Sequence, residues 1–376
     1  MIRLFDFTIM QKISCFKKTA KLIPVALLLF SSCTKEVIVQ PEPPEPSANM
    51  DVLADASSLS LASAPSSKLA GSILKVGING HLGDLPYLAT PWAKQIQMLK
   101  DRGMSYYRIN VQTKSDGSAS SSSDFAELQS AASAAGIKLL PMLYLRTLSF
   151  SKTEKENYSL GKTLGANFAA KYGKYFTFYN LGNDLELPLL YSNKTGEIPE
   201  HYNSVKFKLT AAYLKGMDEG IKSKDADAKT IINAGWLHYG FLKMCESYGV
   251  KFDRVGYNWY SDMEGAAAKA PYYIDDITKK LSSLFPNKPI WFTEFNYRFK
   301  ALSLTNETDQ NAFVTKFIAK CKANSHVKVA LIYELFDEPY KSIQESKYGI
   351  IKWKIHYSSW LDKTISKTLL LNSSAN

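Results

Sequence analysis

The chain has 376 residues, 45% of them hydrophobic and 22% charged, which allows one large packed domain or two ordinary ones and excludes wholesale disorder. Lysine and arginine number 46 against 35 acidic residues, a net charge of +11. Residues 1–32 hold Arg3, Lys12, Lys17, Lys18 and Lys21 against Asp6, and the remaining lysines are scattered along expected helices. That is the pattern of solvated helix faces, so no nucleic-acid partner is expected.

Basic residues through Lys21 precede an apolar run, Leu22 to Phe30, and then Ser31, Ser32 and Cys33. The run is too short to span a bilayer and has the order of a secretory signal. Leu29-Phe30-Ser31-Ser32-Cys33 resembles a bacterial lipobox, with Phe30 where Leu is preferred. The resemblance implies a lipoprotein signal peptide over 1–32, lipidation of Cys33, and an exported protein anchored to a membrane of the cell envelope, with the outer-membrane surface as one option. An ordinary cleaved signal is the alternative. Residues 33–70 are Pro-rich to Pro46 and then Ser/Ala-rich to Lys68, the composition of a disordered tether.

Over residues 71–365, eight short apolar runs alternate with amphipathic segments. Strands are expected near Leu74–Ile78, Tyr106–Val111, Ile137–Tyr144, Tyr175–Leu181, Thr230–Ala234, Arg254–Trp259, Pro289–Phe292 and Lys328–Glu334. Helical spacing marks Trp92–Lys100 and Asn311–Lys320, and a short helix fits near Gly240–Tyr248. Eight strand–helix alternations predict an α/β fold, a single (β/α)8 TIM barrel. A doubly wound sheet is the competitor, but Gly77-Ile-Asn-Gly80 lacks the dinucleotide fingerprint, so no cofactor is expected. No zinc-type spacing occurs, so no metal is expected either. Cys245 and Cys321 fall on helices after strands 5 and 7 with another helix between them, which disfavours a disulfide. The connection from Leu185 to Ser204 is far longer than an ordinary strand-to-helix link and is expected to wall one side of the barrel mouth.

The run before Glu294 has turn signals upstream and aromatic and β-branched content, as a strand buried on both faces should. It delivers Glu294 to the carboxyl end of strand 7, the working face of a barrel. Strand 4 ends on Asn183-Asp184. These carboxylates lie three β/α units apart in sequence, as a pair facing each other across one barrel would. Cleaving a glycosidic bond needs such a pair, one to protonate the departing oxygen and one to attack or stabilise the anomeric carbon. No Gly-x-Ser-x-Gly elbow and no His-Glu-x-x-His helix occurs, which argues against a serine esterase or a metallohydrolase.

Asn183-Asp184, Thr293-Glu294-Phe295, Arg108 in Tyr106-Tyr-Arg-Ile-Asn110, the cluster Tyr257-Asn-Trp-Tyr260 and Tyr333-Glu-Leu-Phe-Asp-Glu-Pro339 together resemble the glycoside hydrolases of clan A, with families 5, 39 and 53 the nearest comparisons. The resemblance covers residues 74–340. It implies Glu294 as nucleophile, Asp184 as general acid/base, Asn183 as donor to the sugar hydroxyl beside the reacting carbon, and Tyr260 or Tyr257 orienting Glu294 above Arg108. His81, Asn110, Tyr144, Arg146, Trp236, His238, Asn258 and Glu334 would line the mouth, and Glu338 reads as a surface residue. The clan has Glu where this chain has Asp184. One methylene less retracts the carboxyl by roughly 1.5 Å, from a retaining separation of about 5–5.5 Å towards the inverting range near 6.5 Å. Three outcomes stay open: the backbone compensates, Glu186 takes over as the acid, or the site binds sugar without cleaving it. The expected function is a monomeric, lipid-anchored glycoside hydrolase acting on β-bonds of a poly- or oligosaccharide. The alternative is a carbohydrate-binding lipoprotein, weakly active or inactive, on the same barrel.

Overall fold

The computed structural model describes residues 73–120, 124–300, 303–355 and 357–374. The expected signal peptide, Cys33 and the tether lie outside them. Eight strands close into one parallel barrel, each hydrogen-bonded to its neighbour in chain order and the last to the first. They are β1 (Lys75–Gly80), β2 (Tyr106–Val111), β3 (Lys138–Leu143), β4 (Phe178–Leu181), β5 (Lys229–Gly235), β6 (Arg254–Tyr260), β7 (Ile290–Asn296) and β8 (Val327–Ile332).

Two strands differ from expectation in a way that matters. β4 starts later, because Gly173–Tyr175 turns as a 3-10 helix before it. β7 runs four residues beyond Phe292, so Glu294 lies within the strand and not past its end. Every residue of β7 is buried, as expected of a strand covered by helices on one face and by the barrel interior on the other.

The bore is filled in two unlike storeys. Below, Tyr106, Leu140, Ile231, Trp291, Val329 and Leu331, with Phe178 against them, make an apolar plug. The rings of Tyr106 and Trp291 meet edge to face at 5.0 Å, and Phe178 lies 4.6 Å from Trp291. Such aromatic pairs add stability beyond the area they bury. Above the plug, towards the carboxyl ends of the strands, the buried side chains turn polar: Asn79, Arg108, Asn180, Asn233, Asn258 and Glu294. A second and larger apolar layer lies between the strands and the surrounding helices.

The connection after β4 is ordered by its own hydrogen bonds. Two 3-10 turns, Leu187–Leu189 and Pro199–His201, flank a bridge between Leu190 and Tyr202, and Asn203 caps the following helix, Ser204–Lys222. Helix Tyr239–Tyr248 follows β5, close to the expected position. Beyond β8 come a hairpin, β9 (Ile351–Ile355) and β10 (Ser359–Asp362), and a helix, Thr364–Ser374. That helix carries the domain past residue 365: Thr368 bonds to Asn311 and Ser366 to Arg102. Cys245 and Cys321 are buried free thiols. Among the described residues no helix is long and apolar enough to cross a membrane.

Candidate active site

Strict alternation along β7 would send Trp291 inward, Phe292 outward, Thr293 inward and Glu294 outward. The strand does otherwise. Tyr257 of β6 pairs with Phe292 but the next residue, Asn258, pairs with Glu294; on the other side Phe292 pairs with Ala330 and Phe295 with Ile332. One extra residue is therefore accommodated against both neighbours, a β-bulge that re-aims the side chains after it. Phe292 and Phe295 both pack outward on Phe317, at 4.8 and 5.1 Å. Thr293 and Glu294 both turn into the bore, where Thr293 Oγ1 donates to Asn258 Oδ1 at 2.8 Å.

Glu294 is held at both oxygens. Arg108 Nη1 donates to Oε1 and the Tyr260 hydroxyl donates to Oε2, each at 3.0 Å. The choice between Tyr260 and Tyr257 is thereby settled: the Tyr257 hydroxyl donates to the Trp236 carbonyl, and its ring is in the core. Burial and the charge of Glu294 push the Tyr260 phenol well up, which keeps it a proton-bearing donor. Arg298 lies over the Tyr260 ring, 4.1 Å from its centroid.

Arg108 is the hub of the polar storey. Its guanidinium donates to Asn180 Oδ1 (2.8 Å), Asn79 Oδ1 (2.7 Å), Glu294, and Asn183 Oδ1 (2.8 Å). Asn79 in turn donates to the carbonyls of Thr293 and Ile332, 3.1 Å each. The Thr293 carbonyl lies in the bulge, where the ladder to β8 is interrupted, and Asn79 satisfies it. Asn79, Asn180 and Asn233 were not among the expected site residues, and Thr293 entered only within the strand 7 motif. The available signal was a polar residue within or just after an apolar run, one to three positions before the strand's carboxyl end.

Asp184 follows Asn183 with φ +49° and is half-buried. Asn258 Nδ2 donates to its Oδ1 and Asn183 Nδ2 to its Oδ2, each at 2.9 Å. Asn183 Oδ1 accepts from Arg108, Asn233 and Asn258. Asp184 and Glu294 are thus tied to one polar network, through Asn183 and Arg108 on one side and Asn258 and Thr293 on the other. Glu186 is not placed to replace Asp184. It is fully buried, with Oε1 accepting from the Gly235 amide at 2.9 Å and bonded to His238 Nδ1 at 3.1 Å.

The other expected mouth residues divide. Trp236 is half-buried, stacked on Trp259 at 6.4 Å and 14° and perpendicular to Tyr272 at 5.4 Å. Tyr144 is half-buried beyond the end of β3, and Arg146 is exposed there. Asn110 spends its Oδ1 on the Leu82 amide at 2.8 Å, holding the loop after β1. His238 is corrected from sugar contact to structure: it is buried beneath Gly196, whose close approach leaves no room for a sugar. Tyr333, named only as part of the strand 8 motif, lies half-buried between Tyr260 and His81.

Glu334 and Glu338 are corrected as well. Both are fully buried, because the chain after β8 doubles back and the Ile350 amide donates to the Glu334 carbonyl. His81 Nδ1 lies 3.0 Å from Glu334, 3.1 Å from Glu338 and 3.3 Å from Asp84. His81, Asp84 and Glu338 could each offer one ligand to a cation, but the Lys341 ammonium already bonds to Glu338 and stands 3.5 Å from Asp84. Burial, then the charge of Glu338, pushes the Glu334 carboxyl up to about 8. Burial alone would lower His81, but Glu334 and the hydrogen-bonded Asp84 and Glu338 outweigh it and hold the ring well above its ordinary value.

Residues 208–347 match the family model described as glycosyl hydrolase catalytic core. No curated protein matches the chain. Among solved structures, the β-glycosidase BGL167 aligns with TM-score 0.59 at 12% identity over 81% of this chain and 97% of that one. The β-glucosidase of Thermotoga maritima in complex with azafagomine aligns with TM-score 0.57, 12% identity and the same coverage. A family 39 glycoside hydrolase from Bacteroides cellulosilyticus WH2 aligns with TM-score 0.58 and 14% identity over 81% of this chain and 64% of that one. At such identities the likeness establishes the fold, and family 39 is one of the families the strand-end motifs resemble.

Removing one partner of a buried pair strands the other charge, at a cost of about 3–5 kcal/mol. Arg108→Met is accordingly expected to lower stability by about that much in urea unfolding, and the double variant Arg108→Met/Glu294→Leu to recover a large part of it. The cluster around Glu334 sets a pH trend. Glu334 and His81 both bind their proton more tightly folded than unfolded, so their contribution is complete in acid, and that of Glu334 is lost as pH rises towards about 8. Melting temperature should fall between pH 5 and 8 more steeply in the natural chain than in Glu334→Gln, read by scanning calorimetry across that range (about one unfolded-carboxyl value to the folded one).

Proposed function

We propose that this chain, whose barrel carries a glycosyl hydrolase catalytic core, cleaves β-glycosidic bonds with retention, with Glu294 as nucleophile and Asp184 as acid/base. The observation that carries the reading is the clamp on Glu294: one carboxylate, turned into the bore by a bulge, with Arg108 and Tyr260 fixing both oxygens. A positive charge and a phenol on those oxygens favour the ionised, correctly oriented nucleophile.

In the first step a Glu294 oxygen bonds to the anomeric carbon as the bond to the departing oxygen breaks, and Asp184 gives that oxygen its proton. In the second, Asp184 takes a proton from water, the water oxygen bonds to the anomeric carbon, and the Glu294 ester bond breaks. In this reading the backbone makes up for the short Asp184 side chain, a reading supported by the positive φ at this residue and the Asn258 hydrogen bond to its carboxylate. The second amide hydrogen of Asn183 serves the sugar hydroxyl beside the reacting carbon. The Trp236 face supports a sugar ring. Asn110, His238 and Glu334 act from behind this surface, and His81 sits at its edge. Cys33 is the lipid-bearing residue that holds the barrel at a membrane of the cell envelope, with 33–70 as its tether.

Glu294→Gln is expected to abolish turnover on a panel of β-linked oligosaccharides while glycan binding persists. Asp184→Asn should lose about 10²–10⁴-fold in kcat on natural linkages and much less in the first step on aryl glycosides, whose leaving group needs no proton. Proton NMR of the first-formed anomer should show retained β product; an α product would mean single displacement, and no turnover on any glycan would leave the binding protein. For the anchor, Cys33→Ser in a bacterial host should move the protein from the detergent phase to the aqueous phase on Triton X-114 partition. Recovery of the natural chain in the aqueous phase would refute lipidation.

A further inference from the structure

The loops after β2 and β3 hold a feature that the two-carboxylate chemistry does not use. Residues 112–120 fold back on themselves: Thr113 and Ala119 form an antiparallel bridge, the Lys114 amide donates to the Ser118 carbonyl at 2.7 Å, and the Ser120 amide donates to that of Gln112 at 2.9 Å. The turn falls at Gly117, φ +79°, where a Cβ would come within 2.7 Å of Asn167 on the helix Glu154–Tyr172. That helix also fastens the loop, with the Tyr172 hydroxyl accepting from the Ala119 amide at 3.1 Å and Lys171 ion-paired to Asp116 at 3.2 Å. Opposite, Thr147 shares a hydrogen bond with the Tyr213 hydroxyl at 2.9 Å. Both walls are therefore set before any ligand arrives, which lowers the ordering cost of binding.

Between them lies a cavity of about 540 Å³ whose lining includes Gln112, Lys114, Ser115, Ser120, Arg146 and Thr147. Its size suits a small ligand. Among the described residues its lining holds two cations and no carboxylate. The nearest acid in sequence, Asp116, is taken by Lys171 and Ser118, and no carboxylate among the described residues pairs with Lys114 or Arg146. Two cations facing one cavity repel each other when it is empty and are relieved by an anion between them. The hydroxyls and the Gln112 amide supply the hydrogen bonds a sugar needs.

The cavity opens on the same end of the barrel as the candidate carboxylates and one strand away from Asp184. β3 pairs with β4 at Leu143 and Leu181, the Gly182 amide donates to the Leu143 carbonyl, and Leu145 packs directly against Gly182. We propose that this cavity is a subsite for a negatively charged sugar, carboxylated or sulfated, next to the bond that is cleaved, and hence that the substrate is an acidic glycan. The inference rests on the hydrolase reading of the same mouth. The net charge beyond residue 32, +7, acts in the same sense, drawing anionic chains to the protein.

The test uses the full chain carrying Glu294→Gln, so that bound glycan is not consumed, on an array of β-linked oligosaccharides in which each neutral backbone is printed beside its uronate-bearing and its sulfate-bearing counterpart. The expected result is at least about tenfold tighter binding of one acidic series than of its neutral partner, with uronate and sulfate spots identifying which anion is read. That preference should vanish in Lys114→Ala/Arg146→Ala, persist in the charge-keeping Lys114→Arg/Arg146→Lys, and shrink in about 0.5 M salt. Equal binding of acidic and neutral partners, no binding of either acidic series, or an acidic preference that survives the double alanine variant overturns the inference. The two readings fail separately: cleavage of neutral β-glycosides by the natural chain without an acidic preference removes only this one, whereas acidic preference with no glycan cleaved removes only the hydrolase.

Discussion

One guanidinium organises this barrel. Arg108 reaches from β2 to Asn79 on β1, Asn180 on β4, Asn183 just beyond β4 and Glu294 on β7, so strands on opposite sides of the bore are joined through a single side chain. The geometry suits arginine, because its planar fork presents donors in several fixed directions at once and does not lose its charge when buried. A lysine would offer a point charge and could not keep four acceptors in register. Such a buried pair is not a cheap source of stability: desolvating two charges costs several kcal/mol, recovered only when the geometry is good and the remaining donors are satisfied. Here the asparagines provide that satisfaction, and what they secure is the position of one carboxylate.

The plug of aromatic and aliphatic side chains beneath makes the arrangement possible. With Tyr106, Phe178 and Trp291 closing the lower bore, the polar storey is backed by an apolar floor, where electrostatic interactions are stronger than in water. The same logic recurs at the β1–β8 seam. There Glu334 and Glu338 are buried beside His81 and Lys341, which also bond to Asp84. Aromatic rings stand between this second cluster and the first, with Tyr333 lying between His81 and Tyr260. The candidate catalytic groups and the polar groups of the β1–β8 seam thus have Tyr333 between them.

Much of this was legible in the chain. The eight apolar runs and the turn signals between them point to the barrel, because burial on both faces produces runs of apolar residues that local inspection can find. Arg108 beside Glu294 was also within reach. His238 and Glu338 were not, since a polar residue after a strand reads the same whether the loop beyond it leaves it in water or folds over it.

Sequence by itself determined the number and order of the barrel strands and the residue types near their carboxyl ends, since these follow from hydrophobic periodicity and side-chain chemistry. Tertiary structure alone decided that Glu294 faces the bore. By alternation it belongs outside with the helices, and only the extra residue taken up between Phe292 and Phe295 turns it inward. A bulge is a relation among three strands, satisfied by Asn79 from a fourth place in the chain, and no local pattern of residues records it.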